Sequence, residues 1–395
     1  MPKLGVEQLD LAGQRVFLRV DFNVPLKDGR VSDDTRIVAA LSTVQHCLKA
    51  GAAVVLASHL GRPKGKPDPA YSLRPVAERL GELLGQPVPL APDCVGPETE
   101  ALARALGPGQ VLLLENLRFH AEEEANDEAF ARGLAALAGV YVNDAFAAAH
   151  RAHASIEAIT RFLSPAAAGL LMSRELAALG RIFEQPQRPV IALLGGAKVS
   201  DKLPLVRSLL DRVDGLLIGG GMAFTFLASL GHGVGRSLLE PHRIEAARAA
   251  LDHARARGVK VRLPVDVVAA RGVDSREGIR TVGIREIPAD LMGLDIGPAT
   301  VLQFSEALKG AATVVWNGPM GVFEQEPFAA GTVEVGRAVV GCGAFSVIGG
   351  GDTIAAAQAA GVTDKIGYIS TAGGAFLEFL EGRVLPGVAA LNDAP

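Results

Sequence analysis

Short runs of consecutive apolar residues, each about the length of one buried strand, recur along the chain. They fall at 15–20 (RVFLRV), 53–57 (AVVLA), 111–114 (VLLL), 139–142 (GVYV), 190–194 (VIALL), 215–218 (GLLI), 259–263 (KVRLP), 313–316 (TVVW) and 344–348 (AFSVI). Strands apolar on both faces belong to parallel sheets covered on both sides. The intervening segments carry a helical period. The clearest is 33–49, where Ser32 or Asp33 can cap, Ile37, Leu41, Val44 and Leu48 share one face, and Gly51 stops the helix. Alternating β and α at this rhythm predicts an α/β protein.

Two such series are visible, from about 15 to 145 and from about 190 to 371, with the helical stretch LLMSRELAALGRIF (170–183) and then Gln185-Pro186 between them. The expected organisation is an N-terminal domain over 1–169, an interdomain helix over 170–185 and a C-terminal domain over 186–376. The segment after Gly382 holds Pro386 and Gly387 and reads as a strap rather than another βα unit.

Composition narrows the function. The 395 residues carry a net charge of −4, which argues against a general nucleic-acid binder with its broad basic surplus. Hydrophobic residues at 49% supply sizeable cores, and aromatics at 5% disfavour stacking platforms. Three widely spaced cysteines, Cys47, Cys94 and Cys342, form no CxxC pair, so neither a disulfide framework nor a zinc motif is expected. No apolar stretch approaches a membrane span, and the opening MPKLGVEQLDLAGQRV is not a signal peptide, so a cytoplasmic location is expected.

Polar or glycine residues follow nearly every apolar run, and in open parallel sheets ligands bind outside the carboxyl ends of the strands. In the second half, GGAKVSDK (195–202) places Lys198 and Lys202 four apart, on one face if the segment is helical. GGG (219–221) and GGGDT (349–353) follow strands, and a helix starting at the latter would hold an anion at its amides. Asp352 there fits two roles, a helix cap or a ligand for Mg²⁺ carried by a nucleotide. STAGGAFLEFLEG (370–382) repeats the device with Gly373 and Gly374.

In the first half, Asp21, Asn23, Arg36, His59, Arg62, Arg118, His150 and Arg151 lie at strand ends or helix starts. Any one arginine can pair with a surface carboxylate; the set points to a small anionic ligand, for which the guanidinium fork is suited. The EEE run at 122–124 reads as a solvated helix start. No GxSxG, HExxH, Walker A loop or GxGxxG after a strand occurs, so covalent hydrolysis, zinc peptidase and dehydrogenase chemistry lack support.

RVDFNVP (19–25), SHLGRPKG (58–65), LENLRF (114–119), AHRAH (149–153), GGAKVSDK, GGGMAF (219–224), WNGPMGVFE (316–324) and GGGDT together resemble phosphoglycerate kinase, in order from about residue 4 to residue 390. The resemblance implies two Rossmann-like parallel-sheet domains joined by an interdomain helix and hinge, with the tail 377–395 returning to the N-terminal domain. It implies a monomeric glycolytic enzyme exchanging a phosphoryl group between 1,3-bisphosphoglycerate with MgADP and 3-phosphoglycerate with MgATP. Asp21, Asn23, Arg36, His59, Arg62, Arg118 and Arg151 would form the 3-phosphoglycerate site. Lys198, Lys202, Asn317 and Gly350, Gly351, Asp352 and Thr353 would meet the nucleotide phosphates, with Asp352 on Mg²⁺. Glu324 would bind the ribose, and Gly220, Gly221, Leu294, Pro319 and Val322 would line the adenine pocket. Where the family commonly reads STGGGAS, this chain reads STAGGAF, with Ala372 and Phe376.

The chemistry agrees with the residue types. A substrate carboxylate is already ionised near neutral pH and needs no general base. Catalysis then rests on positioning and charge stabilisation, assigned to Arg36, Lys198, Lys202 and the amides of Gly373 and Gly374. The alternative is a two-domain anion-binding protein without turnover.

Overall fold

A computed structural model describes residues 2–184 and 186–395. The strands, in chain order, are β1 (Arg15–Arg19), β2 (Leu26–Lys27), β3 (Arg30–Val31), β4 (Ala53–Ala57), β5 (Val111–Leu113), β6 (Val140–Asn143), β7 (Ala166–Ala168), β8 (Val190–Leu194), β9 (Gly215–Ile218), β10 (Lys260–Arg262), β11 (Asp266–Ala270), β12 (Arg280–Gly283), β13 (Met292–Ile296), β14 (Thr313–Asn317), β15 (Phe345–Gly349) and β16 (Tyr368–Ser370). The chain forms two compact units. One comprises Met1–Ala177 with Val384–Pro395, and the other Ala178–Arg383.

The first unit holds a parallel sheet in the order β5-β4-β1-β6-β7. Sequence order runs outward from β1 in one direction and from β6 in the other, so the switch point lies between β1 and β6. The helix Thr35–Lys49 covers one face, burying Ile37, Ala40, Thr43, Val44 and Cys47, while Leu41 and Leu48 are half-buried. Its start is two residues later than the sequence suggests. Asp33 accepts from the Thr35 amide at 2.9 Å, and Asp34 occupies the cap position.

Residues 384–395 close this unit. The Asn392 amide donates to Ala166 O at 3.0 Å, its side-chain oxygen accepts from the Ala166 amide at 2.7 Å, and Leu4 N donates to Asn392 O at 2.9 Å. The strap thus covers β7, an Ala-Ala-Ala strand with no β-branched residue to announce it. Residues 377–383, expected in this tail, cluster instead with the second unit: Ser208 Oγ donates to Leu380 O at 2.8 Å.

The second unit holds a six-stranded parallel sheet, β10-β9-β8-β14-β15-β16, with its switch point between β8 and β14. A three-stranded antiparallel sheet, β12-β11-β13, was not foreseen. Its strands mix Asp, Arg and Gly with short apolar stretches, and none is an uninterrupted apolar run. Asp266 opens β11 and caps the helix Pro298–Leu308, accepting from the Thr300 amide at 2.7 Å and the Ala299 amide at 3.0 Å.

The helix Leu170–Phe183 spans the division between the units at Ala177/Ala178. Within the first unit Asp144 anchors its start, its Oδ1 accepting from the Leu171 and Met172 amides at 2.8 and 3.0 Å. Two of the four orphan amides of a helix start are satisfied in this way.

Candidate functional site

In the first unit the residues following β1, β4, β5 and β6 converge at the carboxyl edge. The Asp21 carboxylate pairs with the Arg36 guanidinium, one residue into its helix. Asn23 Oδ1 accepts from the Gly61 amide at 2.9 Å, and Arg118 Nη1 donates to Gly61 O at 2.8 Å, so the turn after β4 is clasped from both sides. Arg118 also faces Glu124 at 3.3 Å. Arg151 Nε lies 3.1 Å from His150 Nε2. Arg62 is exposed and has no ion-pair partner among the described residues.

Beneath this edge lies a buried polar network that the sequence reading left out. Arg19 is buried at the end of β1. Its Nε donates to Ser155 Oγ at 2.9 Å, its Nη1 to Val20 O, and its Nη2 lies 3.2 Å from His59 Nδ1. Ser155 is held by Glu123, whose carboxylate accepts from the Ser155 hydroxyl at 2.6 Å and its amide at 2.9 Å. Glu123 is therefore not solvated. It is fully buried between exposed Glu122 and Glu124, and burial raises its pKa while Arg19 and the Ser155 bonds oppose the shift.

Burial, then the guanidinium groups of Arg19 and Arg118, with Arg36, hold the His59 pKa well below the ordinary value. His153 is pushed down to about 3, first by burial and then by Arg19 and Arg118. Arginine only donates, so Nδ1 of neutral His59 accepts and Nε2 carries the proton. Burial also lowers the Arg118 pKa, with Glu124 opposing. Cations thus crowd one edge with few balancing carboxylates, which suits an anionic ligand.

In the second unit the turns after β8, β9 and β14 pack backbone on backbone. The Gly196 amide donates to Pro319 O, the Gly220 amide to Met320 O and the Met222 amide to Gly196 O, each at 3.0 Å. A Cβ on Gly220 would lie 2.7 Å from backbone atoms of Gly196, and its φ of +65° is itself a glycine conformation. These turns wall a cavity of about 270 Å³ lined also by Leu294, Val322, Glu324 and Asp352. All five residues assigned to the adenine pocket, together with Glu324, line it, and β13 of the antiparallel sheet supplies Leu294.

The 195–202 segment is a series of turns, not a helix. The helix begins at Leu203 with Pro204 in its first turn, so Lys198 and Lys202 do not share a helix face. Lys198 is exposed and has no ion-pair partner among the described residues. Lys202 Nζ bonds Asn317 Oδ1, while Asn317 Nδ2 donates to Gly349 O at 2.6 Å. Burial lowers the Lys202 pKa, with Asp352, Asp201 and Glu381 opposing.

Asp352 is not the helix cap. Gly350, at φ +93°, occupies that position of the helix Gly351–Ala359. Thr353 is buried and donates to Gly349 O at 2.9 Å while accepting from the Gly318 amide at 2.8 Å, so its hydroxyl joins two turns. Ser370 pairs with Gly349 in the β15/β16 register, and Gly373, at φ +54°, occupies the cap position of the helix Gly374–Leu380. Phe376 is fully buried and packs against Gly349, so the departure from the family's loop sequence falls in the core. Sequence reasoning also missed Asp295 on the cavity wall. It accepts from the Gly331 and Ile296 amides at 2.7 and 2.9 Å, and burial pushes it up to about 7.

A cationic sheet edge in one α/β unit and a largely apolar, glycine-walled cavity in the other make the layout of a nucleotide-dependent phosphotransferase. The family model for phosphoglycerate kinase matches residues 6–383. A phosphoglycerate kinase from Pelotomaculum thermopropionicum is 56% identical over 393 residues, covering 100% of both chains. One from Desulfosudis oleivorans is 54% identical over 389 residues, covering 98% of each. The solved structure of phosphoglycerate kinase from Coxiella burnetii has a TM-score of 0.93 at 42% identity, covering 98% of each chain.

The chain belongs to the phosphoglycerate kinase family. Its activity is reversible phosphoryl transfer between 1,3-bisphosphoglycerate with ADP and 3-phosphoglycerate with ATP, a step of glycolysis, with a carboxyl group as acceptor. The family's substrates are a nucleotide and a phosphoglycerate. Among the described residues no helix is long and apolar enough to cross a membrane.

Proposed function

We propose that 3-phosphoglycerate binds at the cationic edge of the first unit, on Asp21, Asn23, Arg36, His59, Arg62, Arg118 and Arg151, and that the nucleotide binds in the cavity of the second. The observation that carries this reading is the cavity itself. Apolar on one side and glycine-walled on the other, it carries the Glu324 and Asp352 carboxylates in its lining, and Ala197 on its wall directly precedes the exposed Lys198. A purine fits between Leu294, Pro319 and Val322, with Gly220 and Gly221 allowing close backbone approach, and Glu324 accepts from ribose hydroxyls.

In the ATP-consuming direction a carboxylate oxygen of 3-phosphoglycerate attacks the γ-phosphorus. The bond to the bridging oxygen breaks, and ADP departs with that electron pair. No proton moves at the nucleophile. Arg36 and Lys198 neutralise charge on the transferring oxygens, and the Gly373 and Gly374 amides add donors. Lys202, steadied by Asn317, grips the nucleotide phosphates together with the turn of Gly350, Gly351 and Thr353. The neutral His59 offers an Nε2 proton to the substrate.

Asp352 would hold Mg²⁺. Its hard carboxylate in the cavity lining, free of the capping role, fits an ion that takes one or two carboxylates beside substrate phosphates. When bound, the ion neutralises nucleotide phosphate charge. Transfer requires the two half-sites to meet, with the helix Leu170–Phe183 as the hinge element. The enzyme acts as a cytoplasmic monomer.

Calorimetry on the whole chain tests the placement. His59→Ala and Arg62→Ala should weaken 3-phosphoglycerate and leave ADP binding unchanged, while Lys202→Ala should do the reverse. Unchanged 3-phosphoglycerate affinity in both first-unit variants would overturn the assignment.

A further inference from the structure

A second constellation lies in the first unit, apart from the residues assigned to substrate. Asp93, Cys94 and His120 each offer one ligand atom, and these atoms lie within 4.8 Å of one another. Asp93 and Cys94 occupy the turn before the helix Pro97–Ala105, and His120 follows the helical turn Leu117–Phe119. His120 Nε2 sits 2.6 Å from Asp93 Oδ1, and its ring stacks on Phe130 with centroids 4.7 Å apart. The buried Cys94 thiol donates to Glu115 O at 2.9 Å. Asp93 is exposed and His120 half-buried, so the group is floored by sulfur and open to solvent on one side.

We propose that Asp93, Cys94 and His120 form a binding site for a divalent transition-metal ion of the zinc class, with water completing the coordination. Sulfur, imidazole nitrogen and carboxylate oxygen are a borderline-soft set that suits zinc and not magnesium or calcium. Tetrahedral zinc at ordinary bond lengths needs ligand atoms about 3.3–3.6 Å apart, which small side-chain rotations reach from the present spacing.

Binding forms a metal–sulfur bond and releases the thiol proton to solvent, so affinity rises with pH. Among the described residues no other group of three His, Cys, Asp or Glu side chains meets the same spacing. His120 stands two residues beyond Arg118, so the ion would tie the segment bearing Arg118 to the 93–94 turn.

The test titrates cobalt(II) into chelator-treated full-length protein without nucleotide or magnesium. A single equivalent should produce a thiolate-to-cobalt charge-transfer band and the intense visible bands of four-coordinate cobalt, both displaced by zinc. The charge-transfer band should vanish in Cys94→Ser, and His120→Gln should weaken binding while retaining turnover. Cobalt bound without a thiolate band, or a band that survives Cys94→Ser, would overturn the proposal. If Cys94→Ser does not fold, His120→Gln decides, since an unchanged spectrum and affinity there would also overturn it.

Discussion

Arg36 and Lys198 hold similar charges in different settings. Arg36 is braced by Asp21, whereas Lys198 projects without an ion-pair partner among the described residues. Both are assigned to charge that develops in transfer, so Arg36→Ala or Lys198→Ala should lower kcat by about 10²-fold or more. Steady-state kinetics check this, and a rise in KM alone would contradict the roles. Asp295 gives a pH signature. Between the ordinary carboxylate range and about 7 the folded chain keeps its proton while the unfolded chain has lost it. Its contribution to stability therefore falls as pH rises through that window, by on the order of a few kcal/mol. Asn cannot titrate, so the melting temperature of the parent relative to Asp295→Asn should drop from about pH 5 to about pH 8. A difference independent of pH would contradict the buried-acid account. Lys198 and Arg36 were conspicuous in the sequence because their types stand out beside apolar runs. Arg19, Glu123 and His153 were not. Glu123 sits in a run of three glutamates that looks solvated, and only the fold shows that one of them turns inward onto Ser155.

At the scale of elements, the turns after β8, β9 and β14 work because glycine lets three backbones touch. Gly220→Ala would force a Cβ to within 2.7 Å of Gly196 and strain a φ of +65°. Strain of ~1.4 kcal/mol or more in the nucleotide wall should reduce ADP affinity about tenfold or more, leaving 3-phosphoglycerate binding intact. Calorimetry with each ligand separates the two, and equal losses would indicate general unfolding instead. Asp144 anchors the helix Leu170–Phe183 through two amides, so Asp144→Ala should destabilise the first unit by about 1–3 kcal/mol in urea melts. The apolar runs of the two parallel sheets and this helix were readable from periodicity alone. β7 was hidden because three alanines carry no strand signal, and β11 to β13 because none of these strands is an uninterrupted apolar run in the sequence. The 195–202 segment failed for a different reason. A four-residue lysine spacing suits a helix face, but two glycines and a late proline set the helix start at Leu203.

At the scale of the molecule, the proposed function assigns one ligand to each unit and gives no residue the role of general base. The carboxylate acceptor removes the need for one, so the account rests on bringing two ligands into line. Both ligands together should compact the chain in small-angle scattering, and either alone should do so less. The most direct test of the central claim is ADP release on mixing the protein with MgATP and 3-phosphoglycerate, with a coupling enzyme drawing off the acyl phosphate. Turnover that requires the nucleotide, the acceptor and magnesium together is the predicted result. ADP release that proceeds at the same rate without 3-phosphoglycerate, or no release while both ligands bind, would contradict it.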